Sequence, residues 1–234
     1  MHMIENTFKQ QIGNPIQNWT SRPQPKKIVL EGQYCRLVPV TVGEHLADLY
    51  YVYGPESQLS NWTYLPFERF EDLASFEVHL TSMSQSEEQL HYAIIDKISG
   101  KALGSLALMR IDRQQGSAEV GYVIYSDSLK STRVATEAQF LLASYVFDDL
   151  GYRRYEWKCD ALNGPSVAAA LRLGFSKEGT FRQALVYKGR NRDTTWLSML
   201  DIEWPKHKKQ LLDWLNPNNF TPDGRQKKRL KEMN

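Results

Sequence analysis

The sequence predicts an α+β domain built on one mixed sheet. Three observations carry this. Hydrophobic periods run in the order strand, two helices, three strands, helix, strand, helix, two strands. No internal repeat or low-complexity linker divides the 234 residues. The last two strands complete the same sheet, which favours one domain over two.

Residues 1–27 hold Pro15, Pro23 and Pro25 without a clear period and read as an irregular arm lying on the domain; the opening "MHM" reads as a cloning scar. "YCRLVPV" (34–40) alternates and is β-rich, so it is the first strand. Leu46, Leu49 and Tyr50 are at helical spacing within 44–53, and Gly54-Pro55 ends that helix. "NWTYLPF" (61–67) is an aromatic loop, and Phe70, Leu73, Phe76 and Leu80 mark a second helix. "LHYAIID" and "KALGSLALMRID" meet across Ser99-Gly100 as a hairpin, and "SAEVGYVIY" (117–125) follows. A long helix runs from about Thr132 to Leu150, with Gly151 at the left-handed cap position. "YRRYEWKCD" (152–160) is the next strand. Pro165 opens a helix that ends at Gly174, and "ALVYKG" (184–189) and "TTWLSMLDIEW" (194–204) close the sheet.

A formal charge of +2 is too small to make nucleic acid the main partner. The "RQKKRLK" run, Arg225 to Lys231, reads as a solvated, frayed basic segment. Cys35 and Cys159 have no CxxC spacing, and the five histidines (2, 45, 79, 91, 207) are scattered, so no metal site or catalytic triad is expected. The start lacks a signal-peptide pattern, and the longest apolar run, "LALM", is too short to cross a bilayer. The expected location is cytoplasmic, with no membrane partner.

"SLKSTRVATEA" (128–138) loads hydroxyls and positive charge onto a helix start. The macrodipole disfavours cations there by up to about 1 kcal/mol. An anion sitting at the helix start in the working state would explain the pattern.

Three segments, "EVGYVIYSDSLKSTRVATEAQFLL", "LGYRRYEWKCDALNGPSVAAALRLGFSKEG" and "KGRNRDTTWLSML", resemble the GNAT superfamily of acetyl-CoA-dependent N-acetyltransferases. The branch they look most like includes ribosomal-protein N-terminal acetyltransferases. The resemblance covers about Tyr34 to Trp204. It implies a GNAT-like sheet of about seven strands, splayed between the fourth and fifth, with helices on both faces. It divides the chain into an arm (1–33), the acetyltransferase domain (34–204) and a basic extension (205–234).

The resemblance also implies that pantetheine lies in the splay beside Val123 and Tyr125, and that the pyrophosphate sits on the loop Lys130, Ser131, Thr132, Arg133, Val134 and Ala135. Helix-start N–H groups make a ready anion site. The family's central Gly of this loop is Arg133 here. Asn163 would contact the pantetheine arm or simply cap its helix. Acetyl-CoA is the expected cofactor, with no metal.

An amine nucleophile must lose a proton, since lysine (pKa about 10.4) and α-amines (about 7.7–8.0) are largely protonated at pH 7. Glu119 is the candidate base, because many family members carry a catalytic Glu on this strand. The alternatives are an exposed carboxylate, a salt bridge to Arg110 or Arg113, or a bound water as base. The family's usual acid, a Tyr, is Ala170 in this sequence. Ser166 is the nearest substitute, with helix capping as its other explanation.

Trp62 and Tyr64 would wall the acceptor pocket. Asp193 would hold the cationic amine and Arg192 a substrate carboxylate, or the two brace the hairpin as a pair. Trp157, Trp196 and Trp204 read as packing. The expected activity is acetyl transfer to a primary amine of a small molecule or protein N-terminus; the alternative is a non-catalytic acyl-CoA-binding or regulatory protein. A homodimer through the final strands stays open.

Overall fold

The computed structural model describes residues 4–233; the "MHM" opening and His2 lie outside the described residues. Two short strands, β1 (Ile4–Glu5) and β2 (Gln11–Ile12), pair with each other on the arm. The main sheet holds β3 (Leu30–Glu31), β4 (Cys35–Pro39), β5 (Leu90–Asp96), β6 (Ala102–Asp112), β7 (Ser117–Tyr125), β8 (Arg154–Asp160), β9 (Ser176–Tyr187) and β10 (Arg190–Leu200). Its order is β3-β4-β5-β6-β7-β8-β10-β9, one strand more than the seven expected because Leu30–Glu31 pairs with β4.

Every neighbour pair is antiparallel except β7 and β8. That parallel pair runs only from Ser117↔Arg154 to Val120↔Trp157. Beyond Val120 the two strands part, so the splay lies between the fourth and fifth of the strands expected from the sequence.

The helices are α1 (Val42–Tyr53), α2 (Leu73–Gln85), α3 (Arg133–Ser144), α4 (Gly164–Leu173) and α5 (Trp204–Leu215). Strand alternation divides the core. Tyr92, Ile94, Leu106, Val120, Tyr155 and Trp157 pack with α3, α4 and α5. Ala93, Ile95 and Ile124 turn the other way, onto Leu49, Tyr53, Phe76 and Leu80 of α1 and α2.

Several local expectations shift. Phe70 lies before α2, packed edge-on to Phe76. The long helix ends its α-helical part at Ser144 and continues as one wide π turn, Tyr145–Asp149. Gly151 follows at φ 63°, where a side chain would be strained. The closing hairpin begins earlier than the sequence suggested, since β9 starts at Ser176.

The arm runs along the domain: Arg22 N donates to Arg113 O (2.9 Å) and Lys26 N to the Tyr145 hydroxyl (2.7 Å). The basic tail also folds back. Phe220 bridges to Gln226, and Leu230 is buried in the core beside α5. No helix among the described residues is long and apolar enough to cross a membrane.

Candidate functional site

The splay creates two openings, one on each face. On the α3–α4 face lies a groove of about 980 Å³, lined by Tyr125, residues 131–136, Trp157 and Pro165 among others. On the α1–α2 face lies a cavity of about 280 Å³, lined by Tyr64, Glu119, Tyr122, Val123, Lys158, Asp160, Asn163, Ser166 and Arg192. Trp157 lines both, so it stands at the partition.

The groove begins where α3 starts. Thr132 is its N-cap: the hydroxyl accepts from Ala135 N (3.1 Å) and donates to Leu129 O (2.7 Å). Ser131 is left-handed at φ 61°. The N–H groups of Ser131, Arg133 and Val134 have no acceptor among the described residues. Unpartnered amides at a positive dipole end suit a diphosphate.

The charged side chains of this loop are engaged elsewhere. Lys130 Nζ donates to Asn61 Oδ1 and Asp127 Oδ1, both at 2.6 Å. The Arg133 guanidinium lies over the Tyr34 ring (4.4 Å) and the Phe220 ring (5.4 Å). What this helix start leaves free is therefore backbone N–H more than charged side chains. Ala135 is buried, and Tyr125 spends its hydroxyl on Gln139 Nε2 (2.7 Å). Ala170 is fully buried.

In the second cavity, β7 carries a bulge. Ser105 faces Ile124 while Ala107 faces Gly121, so Tyr122 and Val123 together oppose Leu106. Tyr122 takes φ 47°, a strained angle for a bulky residue, and its ring stacks on Phe67 (6.3 Å). Such strain is found at functional sites.

Glu119 is 4 % exposed at the vertex of the splay. Its Oε2 lies 2.9 Å from Lys158 Nζ and 3.1 Å from Arg110 Nε, ion pairs that lack aligned hydrogen-bond geometry. Burial raises the Glu119 pKa above the usual carboxylate value, while Lys158 and Arg110 pull it down and Glu156 pushes it up. Lys158 also pairs with Glu156 (2.7 Å) and lies 3.8 Å over the Trp196 ring.

The remaining sequence candidates divide. Asn163 Oδ1 caps α4 through Ser166 N (3.2 Å), and the Ser166 hydroxyl accepts from Trp157 Nε1 (3.0 Å). Both still line the cavity, with Tyr64 and Arg192. Trp62 is fully buried and donates to Ser57 Oγ, so Tyr64, Leu65 and Pro66 form the wall beside it. Asp193 accepts from Gln183 N (2.8 Å) and Asn191 Nδ2 (3.0 Å), within the closing hairpin and outside the cavity lining.

Among the polar side chains that line the cavity, Tyr122, Lys158 and Asp160 were not singled out from the sequence. Lys158 and Asp160 share a strand face with Glu156, and Glu156 is in register with Glu119. Strand alternation plus the parallel register would have found them.

Among the described residues no group of acidic, histidine or cysteine side chains could hold a metal. Residues 35–176 match the family model described as "Acetyltransferase (GNAT) domain". The chain is 30 % identical over 125 residues to uncharacterized N-acetyltransferase p20 of Bacillus licheniformis, covering 53 % of this chain and 70 % of that protein. A crystal structure of a GCN5-related N-acetyltransferase from Brucella melitensis superposes with TM-score 0.91 at 47 % identity, covering 93 % of this chain and 98 % of that one. Spermidine N-acetyltransferase from Vibrio cholerae, solved with CoA and spermine, shares the fold at TM-score 0.60 and 17 % identity, over 74 % of this chain and 98 % of its own.

Proposed function

This chain belongs to the acetyltransferase (GNAT) domain family, and from that premise we propose that it moves an acetyl group from acetyl-CoA to a primary amine by direct attack. One observation carries the reading: a buried, raised-pKa carboxylate lines a cavity where two strands part, across Trp157 from a groove with unpartnered helix-start amides.

Bound in the groove, acetyl-CoA supplies the acetyl thioester. The N–H groups of Ser131, Arg133 and Val134 hold the diphosphate. In the cavity Glu119 takes a proton from the attacking amine. The amine nitrogen forms the new bond to the acetyl carbon, the carbon–sulfur bond breaks, and the thiolate leaves to take up a proton. Bulging at Tyr122–Val123 frees backbone groups from the ladder, which supports an oxyanion donor there. A base whose pKa is raised toward the working pH is better matched to this task than an ordinary carboxylate.

Calorimetry with coenzyme A and thiol release over an amine panel test the reading. The expected result is CoA binding together with release of one thiol per amine acetylated. CoA binding without thiol release from any amine favours the non-catalytic alternative, and no binding at millimolar CoA removes the acetyl-CoA assignment.

Arg133 offers a sharper check on the amide site. It is the first residue of α3, where proline is tolerated, and Thr132 before it is already extended (φ −96°, ψ 165°). Arg133→Pro thus keeps the helix and deletes one N–H. Losing one charge-assisted bond costs about 1.5–3 kcal/mol, roughly 10–100-fold in CoA affinity. Arg133→Ala loses the same cation and ring stacking but keeps the N–H, so it should bind CoA that much more tightly than Arg133→Pro. Equal affinities of the two variants would remove the Arg133 N–H from the site.

Lys158 gives a pH test. Its cation lowers the Glu119 pKa against the effect of burial. Lys158→Met leaves the burial and removes the cation, so the acid limb of kcat/KM moves to higher pH. Superposable pH profiles would uncouple Lys158 from the base.

A further inference from the structure

Arg192 is the charge in the acceptor cavity that the chain leaves unanswered. The cavity is lined by three cations, Arg110, Lys158 and Arg192, against two carboxylates, Glu119 and Asp160. Arg110 and Lys158 both pair with Glu119. Asp160 is buried with both oxygens in use: Oδ1 accepts from Leu162 N (2.8 Å) and Oδ2 from the Tyr187 hydroxyl (2.7 Å). Arg192 is partly buried, gives its Nε to Thr194 Oγ1 (3.2 Å) and lies 5.7 Å from the Tyr187 ring centre. Its Nη groups have no acceptor among the described residues, and its neighbour Asp193 is turned into the hairpin.

Beside the cavity, the closing hairpin is tied to the loop that supplies Tyr64, Leu65 and Pro66 to its wall. At the tip of the closing hairpin, Lys188 Nζ donates to Trp62 O (2.7 Å) and pairs with Glu68 (2.8 Å), and Arg190 Nη2 donates to Thr63 O (2.7 Å). These contacts tie the hairpin down over the 62–68 loop. The cavity, about 280 Å³, is at the lower end of ligand pockets.

We propose that Arg192 is a specificity-determining residue that binds a carboxylate of the acceptor, making the acceptor a small amino-acid-like amine. This rests on the acetyl-transfer reading above and narrows its substrate class. A guanidinium with free Nη groups offers the forked donor geometry that a carboxylate accepts in pairs. An amine carrying one carboxylate brings the acceptor that the Arg192 Nη groups lack and presents its nitrogen toward Glu119. A polyamine brings only cationic donors and leaves those Nη groups without a partner.

The test uses the full chain saturated with CoA. A panel of N-acetyl amino acids and the corresponding N-acetyl amino acid amides is titrated by calorimetry into the wild type, Arg192→Gln and Arg192→Lys. The best-bound acid is expected to bind at least about tenfold tighter than its amide. Arg192→Gln removes that preference, Arg192→Lys keeps part of it, and CoA affinity is unchanged in both. Equal binding of acid and amide, no binding of any acid at millimolar levels, or a preference that survives in Arg192→Gln overturns the proposal.

A turnover arm compares free amino acids, their amides, peptides with an acidic first residue, and spermidine, following thiol release. Highest kcat/KM on a free amino acid supports the proposal; highest kcat/KM on spermidine, on an amide or on a peptide overturns it. Acid-selective binding lost in Arg192→Gln, with no thiol release from any amine, supports the anion subsite while refuting acetyl transfer, so the two failures are told apart.

Discussion

Glu119→Gln is expected to lower kcat at neutral pH by about 10²–10⁴-fold, the range a positioned general base supplies, with CoA affinity unchanged. The amide keeps the shape of the carboxylate and lies away from the helix-start amides that would bind the diphosphate. What it loses is the capacity to take a proton. Stability should move the other way or hardly at all. Burial raises the folded-state pKa of Glu119. A carboxylate raised on folding contributes stability below its unfolded pKa, and that contribution is lost as pH rises through the folded value. At neutral pH the ionised group therefore carries its desolvation cost, and the neutral amide removes it. Lys158 keeps Glu156 at 2.7 Å, so the substitution does not strand a buried cation. Steady-state thiol release and a thermal melt on the same variant read both effects. An unchanged kcat near pH 7 would take Glu119 out of the mechanism, and a strongly lowered melting temperature would show that its charge is structural.

Sequence patterns were most legible where one local signal fixed one local structure. The turn at Gly151, the cap at Gly174 (φ 103°) and the alternating strands on either side of the splay are of this kind. The extra length of β9 was hidden because "SKEGTFRQ" has no buried face: almost the whole strand is exposed at the sheet edge, so no period of two appears. The π turn at Tyr145–Asp149 was hidden because its residues continue the apolar stripe of α3, and burial of Tyr145, Val146 and Phe147 is the same either way. Glu119, singled out by a resemblance tied to its position on β7, does line the cavity. Lys158 and Asp160 were not singled out, since a parallel pairing of strands more than thirty residues apart is what brings them to the same cavity as Glu119. Charge in "SLKSTR" draws attention to the start of α3, but the side chains that carry it are engaged elsewhere. Asn61, Asp127 and the rings of Tyr34 and Phe220 come from distant segments and occupy Lys130 and Arg133, while the unpartnered amides leave no trace in composition.

Glu137→Ala is expected to lower unfolding stability by about 3–5 kcal/mol, from losing three hydrogen bonds to a carboxylate and leaving buried backbone donors unpaired. Glu137 is buried in the second turn of α3. Its Oε1 accepts from Gln33 N (2.7 Å), and its Oε2 accepts from Tyr34 N (2.6 Å) and Cys35 N (2.7 Å). One carboxylate thus satisfies three successive backbone donors at the entry to β4. Each hydrogen bond to a charged group contributes about 1.5–3 kcal/mol, and a buried donor left unpaired costs about 1–3. The three are not additive, because water can reach the exposed Gln33 once the side chain is gone. Gly32 fits the same clamp: a Cβ there would come within 2.6 Å of the Glu137 carboxyl group. Glu137→Gln, with one acceptor oxygen in place of two, should fall between wild type and Ala. Against a total stability of about 5–15 kcal/mol, the Ala variant approaches the folding threshold. The clamp also joins β4 to the helix whose first turn bears the unpartnered amides, so CoA binding should stabilise Glu137→Ala by mass action and recover part of the loss. Urea titrations with and without CoA measure both quantities. A loss below about 1 kcal/mol would mean that water or a neighbouring acceptor replaces the carboxylate, and that the clamp does not hold α3 in place.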